Sequence, residues 1–196
     1  MAKQKARMRP WVKLTLLALL PLCLLNLSVA FFGHSAVFPL SPFFLGNKVR
    51  ALGKYAMHRP WCLFSGHDGL DGIVARLEKK HRLPRGLLAA IVTVESNGRP
   101  HRISPAGAMG PGQLTPSTAR LLRVSDPFDP EESLDGSARY LVTQLATFKD
   151  LRLAVAAYNA GPGSIVNRAV PRNGETEFYV NKVMALLGSA RRDPVR

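Results

Sequence analysis

A mainly α-helical globule behind an apolar N-terminal segment is the fold class this sequence predicts, and three observations predict it. Apolar residues recur at steps of three and four through most of the second half of the chain. Pro, Asp, Thr and Gly stand where such runs would start and stop. Alternating apolar and polar runs, which would make half-buried strands, have almost no support, and no internal repeat is evident. The 196 residues, 46% of them hydrophobic, suffice for one ordinary domain plus a leader.

The leader comes first. Lys3, Lys5, Arg7, Arg9 and Lys13 precede an almost wholly apolar run over residues 14–32, with no acid among them. The run is long enough to span a bilayer, although Pro21 and Asn26 interrupt it. Ser28-Val29-Ala30 has the small-x-small form of a cleavage site, so residues 1–32 read as a signal peptide or as a transmembrane anchor. The length of the run and the phenylalanines at 31 and 32 favour the anchor. Either way the basic end stays cytoplasmic, and the rest of the chain is expected outside the inner membrane, in the periplasm or cell envelope. Leu22 before Cys23 fits a lipoprotein site poorly, and Cys62 is alone in the exported part, where it has no internal disulfide partner. His58, His67, His81 and His101 are scattered among unrelated segments without metal-ligand spacing, so neither metal nor cofactor is expected.

Charge narrows the partner. The net charge of +14 loses five units with the leader and remains strongly positive, which suits an acidic partner such as nucleic acid, anionic lipid or a cell wall bearing carboxylates. No basic run is interleaved with aromatics, which argues against nucleic acid. Residues 33–67 mix Pro39, Pro42 and Pro60 with Phe38, Phe43, Phe44, Trp61 and Phe64 and show no clean period. This connecting segment either packs on the domain or lies at the membrane surface.

Residues 68–196 make the helical domain. Leu70, Ile73, Val74 and Leu77 form one face, and a helix opened by Pro84 follows, with Leu87, Leu88, Ile91 and Val92 on its apolar side. Thr115 caps a short helix that has Pro116 in its first turn. Asp126-Pro127-Phe128 turns the chain, and Asp129-Pro130-Glu131-Glu132 starts a long helix bearing Leu134, Ala138, Leu141, Leu145 and Phe148. Asp150 caps a helix over residues 151–158, and Glu175-Thr176 opens the last, with Phe178, Tyr179, Val183 and Leu187 behind it.

The stretch over residues 84–113 is what the rest is organised to position. Glu95 continues the apolar face of its helix, four residues after Ile91 and seven after Leu88. A carboxyl there is desolvated, its pKa rises, and it can remain an acid near neutral pH. The competing reading is a solvated helix-end glutamate paired with Arg99 or Arg102. After Glu95 the chain passes through residues 104–113, too rich in Gly and Pro for helix or strand, and ends that loop on Gln113, which can both donate to and accept from a sugar amide or hydroxyl.

Residues 156–163, Ala-Ala-Tyr-Asn-Ala-Gly-Pro-Gly, place a phenol and an amide at a helix end. Together with Glu95-Ser96, the 104–113 loop and Glu175-Thr176-x-x-Tyr179, they resemble the catalytic domain of the soluble-lytic-transglycosylase family, over roughly residues 73–187. The resemblance implies a lysozyme-like, goose-type helical fold that cleaves peptidoglycan glycan strands. By position it makes Glu95 the single catalytic acid/base and Tyr158 the tyrosine whose hydroxyl faces that carboxylate. Ser104 and Gln113 become substrate-binding residues, Asn159 shapes the turn beside the site, and Tyr179 becomes a cleft-wall tyrosine that stacks or hydrogen-bonds with a sugar. Four positions depart from the family pattern: Pro111-Gly112 replaces Leu-Met before the glutamine, Thr115 replaces a second Met, and Ser133 replaces an Asn.

Ordinary glycosidases use two carboxylates, about 5 Å apart for retention or roughly 6.5–9.5 Å apart for inversion. No second acid accompanies Glu95 in these motifs, and capping explains Asp126 and Asp129. The resemblance therefore implies a lytic transglycosylase that leaves 1,6-anhydro-muramic ends. The alternatives are a hydrolytic muramidase of the same fold or a non-catalytic peptidoglycan-binding scaffold. A secretion or pilus machine is a further partner that nothing in the residues selects.

Overall fold

Among the residues that the computed structural model describes, 10–62 and 70–192, eight α-helices follow one another: α1 (Pro10–Gly33), α2 (Leu45–Cys62), α3 (Leu70–Lys80), α4 (Leu87–Ser96), α5 (Pro116–Leu121), α6 (Pro130–Phe148), α7 (Leu151–Ala160) and α8 (Glu175–Arg192). A single 3₁₀ turn, Pro162–Ser164, links α7 to the approach to α8. Strands are replaced by isolated bridges pairing Met109 with Ile103 and with Leu114. The mainly α expectation agrees with this architecture, and its beginning near Asp68 lies outside the described residues.

α4 is the central helix. Leu87, Leu88, Ala90, Ile91 and Val92 are all buried, so it is apolar around most of its circumference, as a helix enclosed by others must be. Ile73, Val74 and Leu77 of α3, Leu134, Ala138 and Leu141 of α6, Val155 and Ala156 of α7, and Val180, Val183 and Leu187 of α8 close one core around it. At about 25 cal/mol per Å² of apolar surface removed from water, each such large side chain contributes roughly 1.5–3 kcal/mol.

Pro84 does not open α4. It lies in the turn before the helix, which begins at Leu87 behind Gly86 in the left-handed region, with φ of 82°. The cap that sequence reasoning missed comes from α3: buried Glu78 accepts from Gly86 N (2.8 Å), Leu88 N (2.8 Å) and Ala89 N (3.2 Å). A carboxylate on orphan N–H groups at a helix N-terminus is favourable both as a hydrogen-bond acceptor and against the helix dipole. The other caps fall where the sequence puts them, Thr115 accepting from Thr118 N (3.2 Å), Asp129 from Glu132 N (2.8 Å) and Asp150 from Leu153 N (2.9 Å). α7 runs through Ala160, two residues beyond its expected end.

The described part of the connecting segment is largely helical. α2 buries Lys48, Ala51 and His58, with Tyr55 partly covered between them, so its inward face steps by three, four and three. A lysine and a histidine on that face conceal the period from any count of apolar residues. Val29 of α1, Ala51 of α2, and Ile103, Met109 and Phe128 of the following domain form a second core. His58 and His101, placed in unrelated segments by the sequence, meet here with ring centroids 5.2 Å apart. Asp126 is not a helix cap: it contacts His58 Nδ1 at 2.6 Å and accepts from Phe128 N at 3.0 Å.

Candidate active site

Glu95 occupies the last turn of α4, which ends on Asn97 in the left-handed region. Its carboxyl sits among side chains of α4, α7 and α8, and Tyr179 of α8 donates to its Oε1 at 2.7 Å. Burial pushes the Glu95 pKa up to about 7, against the opposing pull of the Tyr179 hydrogen bond and the charge of Arg102. Loss of hydration therefore outweighs both stabilising partners, and the group holds its proton near neutrality. The side chain is half-buried rather than fully solvated, and Arg102 acts on it only as a nearby charge.

The two tyrosines make contacts other than those their positions suggested. Tyr179, expected on the cleft wall, is buried and holds the carboxyl. Tyr158, expected to face Glu95, donates instead toward Gly112 O (2.9 Å) and Ser137 Oγ (3.0 Å). It is still near enough that the Glu95 charge adds to the effect of burial in raising its pKa, and both phenols remain protonated donors across the physiological range. Ser137 in turn donates to Ser133 O (2.9 Å), so a short polar chain runs from the loop through Tyr158 into α6. Sequence reasoning missed Ser137. Its signal was a Ser–Ser pair at i, i+4 beside the buried Leu134 and Ala138 on one helical face.

The loop between α4 and α5 is closed upon itself. Ser104 Oγ accepts from Ala108 N (3.0 Å), and Gln113 Nε2 donates to Arg102 O (3.1 Å) and Gly110 O (2.8 Å). Both side chains are thus engaged in shaping the loop, and for Gln113 Oε1 is the atom left to accept from a ligand. Asn159 Oδ1 accepts from Thr176 Oγ1 (3.2 Å) and ties the end of α7 to the start of α8. The structure brings Glu95, Tyr158 and Tyr179 together, while Ser104, Gln113 and Asn159 hold the surrounding backbone.

Gly112 stands where the family pattern has methionine, and packing shows why. A Cβ at this position would lie 2.1 Å from Ser137 Oγ and 3.4 Å from the Tyr158 hydroxyl oxygen. The space that a larger residue would need is filled by the polar chain. A cavity of about 420 Å³ lies elsewhere, lined by Arg50, Lys54, Met109, Arg120 and Pro127 among others. It does not include Glu95.

These contacts separate the two phenols experimentally. Tyr179→Phe removes a hydrogen bond that favours the carboxylate, so the Glu95 pKa should rise further and the alkaline limb of the pH–rate profile should move to higher pH. Tyr158→Phe should instead lower stability by about 1–3 kcal/mol, because the buried Gly112 carbonyl loses its donor. Thermal unfolding and pH–rate profiles of both variants check this; an unmoved limb in Tyr179→Phe would remove that phenol from the site.

Comparison with known proteins places the arrangement. The transglycosylase SLT domain matches residues 73–181, more than half of the chain. A transglycosylase of Enterobacteria phage PRD1 is 36% identical over 105 residues, covering 54% of this chain and 38% of that protein. Membrane-bound lytic murein transglycosylase F 2 of Alkalilimnicola ehrlichii is 33% identical over 129 residues, covering 60% of this chain and 29% of that protein. The chain spans well under half the length of either relative. An X-ray structure of an inactive mutant of the lytic transglycosylase Slt from Pseudomonas aeruginosa superposes with a TM-score of 0.53 at 23% identity, over 76% of this chain and 31% of that one, and carries the fold. With its matched segment running from α3 into α8 and enclosing Glu95, Tyr158 and Tyr179, the chain belongs to the transglycosylase SLT domain family.

Proposed function

We propose that this protein is a membrane-anchored peptidoglycan lytic transglycosylase in which Glu95 alone serves as acid and base. One observation carries the reading: a desolvated carboxyl with its pKa near 7, held by a buried phenol, at the end of the central helix. The name of the Alkalilimnicola ehrlichii relative, a membrane-bound lytic murein transglycosylase, supports the substrate and the membrane.

The chemistry follows from one carboxyl acting twice. Protonated Glu95 gives its proton to the glycosidic oxygen between N-acetylmuramic acid and N-acetylglucosamine as the bond to the anomeric carbon breaks. The N-acetyl group of the muramic residue supports the developing cation. The 6-hydroxyl of the same sugar then attacks the anomeric carbon and returns its proton to Glu95. The product is a 1,6-anhydro sugar, and no water is consumed. Tyr179 fits this cycle because its hydrogen bond strengthens when Glu95 becomes a carboxylate. Four other acids of the domain are engaged in structural contacts. Glu78, Asp129 and Asp150 cap helices, and Glu132 holds the backbone of Ser125 (2.5 Å) and Asp126 (3.0 Å).

α1 supports retention at the membrane. Residues 13–33 are long and apolar enough to cross a bilayer, and the end of this helix joins the domain: Ile103 N donates to Gly33 O at 3.2 Å, and Ser35 Oγ donates to Ile103 O. Cleavage after Ala30 would remove Val29 from the second core. The domain lies on the periplasmic side in this reading, as the basic N-terminus requires.

The test is mass spectrometry of sugars released from purified peptidoglycan by the full chain in detergent. Fragments ending in anhydro-muramic acid, each lighter by one water than the reducing product, are expected. Reducing ends would make the protein a muramidase with a second acid in its cleft, and no release would leave a binding scaffold.

A further inference from the structure

α1 ends at Gly33, but the chain does not leave along the helix axis. The amide hydrogens of Asn26, seven residues back from that end, are shared among Leu22 O (3.0 Å), Pro39 O (2.9 Å) and Ser41 O (3.0 Å). Residues 34–44 therefore fold back alongside α1. α2 then rises beside it in the same direction, in a constant register. Lys48 Nζ donates to Asn26 Oδ1 at 2.6 Å, Ala51 packs with Val29, and Tyr55 faces Phe32 with ring centroids 5.5 Å apart. At a rise of about 1.5 Å per residue, Asn26 lies roughly 10 Å below Gly33 along the axis. The same register sets Phe44 and Leu45 level with Leu22 and Cys23, close to the midpoint of the apolar span over residues 13–33.

What this fold-back presents outward is apolar. Phe38 is 72% exposed, Phe43 68%, Phe44 58% and Val49 57%, beside Leu24, Leu27 and Phe31 of α1, which are exposed as well. Residues 35–47 contain no charged side chain. Patches of this kind are rare on surfaces that face water. Backbone polar groups at hydrocarbon depth must be satisfied by protein, and here Asn26 serves the Pro39 and Ser41 carbonyls while Pro39 and Pro42 lack N–H groups altogether. The charged group at this level, Lys48, is fully buried on Asn26; of the next cations, Arg50 lies about half a turn higher and Lys54, nearly two turns higher, donates to Ser125 O of the domain at 2.7 Å.

We propose that residues 34–45 form a re-entrant wedge that enters the outer leaflet beside α1, with Asn26 as its polar pin. The bilayer then embeds two neighbouring elements, and because α2 also carries the loop that borders Glu95, the cleft is held at a fixed height above the membrane. The proposal rests on α1 remaining attached, as in the anchored reading above.

The test uses the full chain in phosphatidylcholine–phosphatidylglycerol vesicles, with Phe43→Trp as reporter in a Trp11→Phe, Trp61→Phe background. Lipids brominated along the acyl chain should quench the reporter several-fold more strongly than aqueous iodide does. Adding Asn26→Leu should cut the bromolipid quenching at least twofold while the protein still sediments with carbonate-washed vesicles. Three results overturn the wedge: quenching by iodide in vesicle-bound protein, shielding from both quenchers as a second copy would cause, or a reporter indifferent to Asn26→Leu. Protein that appears in the carbonate supernatant instead overturns the anchor itself, and the two failures are thereby told apart.

Discussion

Glu95→Gln should reduce release of anhydro-sugar fragments by about 100- to 10,000-fold or more, the range that a positioned proton donor commands, and here no second carboxyl stands in reserve. Gln keeps the length of the side chain and still accepts from Tyr179, so the fold should survive. Stability supplies an independent readout. Below the ordinary carboxyl value of 4.5, Glu95 is protonated whether the chain is folded or not. As pH rises from there to about 7, the unfolded chain gives up this proton while the folded chain retains it, so Glu95 progressively weakens the fold, and above about 7 the full cost remains. The variant escapes that cost. Its melting temperature should approach that of the wild type near pH 4 and exceed it at pH 8. In the wild type, kcat/KM should fall as pH rises through about 7, because the acid form is then lost. Equal melting differences at the two pH values would mean that the carboxyl is hydrated, and residual cleavage within tenfold of wild type would remove Glu95 from the acid role.

Where the sequence was legible, local chemistry explains it. Thr115, Asp129 and Asp150 act on backbone groups three residues away, so their caps can be read without knowing the fold. Glu95 was legible because a charged residue on the apolar face of a helix has few places to go. Its partner was not. Whether Tyr158 or Tyr179 reaches the carboxyl depends on how α7 and α8 rotate against α4, which is tertiary information. Glu78 capping α4 from α3 was hidden for the same reason, and Pro84 attracted an assignment that Gly86 and Glu78 together fulfil. α2 was hidden differently: its inward stripe includes Lys48 and His58, and the groups that make those residues tolerable there, Asn26 and Asp126, lie 22 and 68 residues away.

Gly110→Ala should be the most destabilising single-methyl change in the loop beside Glu95. Gly110 has φ of +74°, and a Cβ there would lie 1.7 Å from Pro127 O, a backbone atom that cannot rotate aside. Positive φ alone costs an alanine about 1 kcal/mol, and overlap with fixed backbone adds to it, so a loss of about 3 kcal/mol or more and a fall in melting temperature of roughly 10 °C are expected. Gly174→Ala separates the two contributions, since Gly174 has φ of +76° with open space around it and should show the strain without the overlap. The damage should reach activity as well as stability. Gly110 N donates to Arg102 O (2.9 Å), and Gln113 Nε2 donates to both of these residues, so a displaced Gly110 moves the backbone that carries Gln113 and Gly112. Gly112 is in turn the acceptor that holds Tyr158. Cleavage should therefore drop well beyond the unfolded fraction when measured at a temperature where Gly110→Ala is still folded. Equal melting temperatures for Gly110→Ala and Gly174→Ala would show that the loop yields around the added methyl group, and that it is not the rigid support for the site described above.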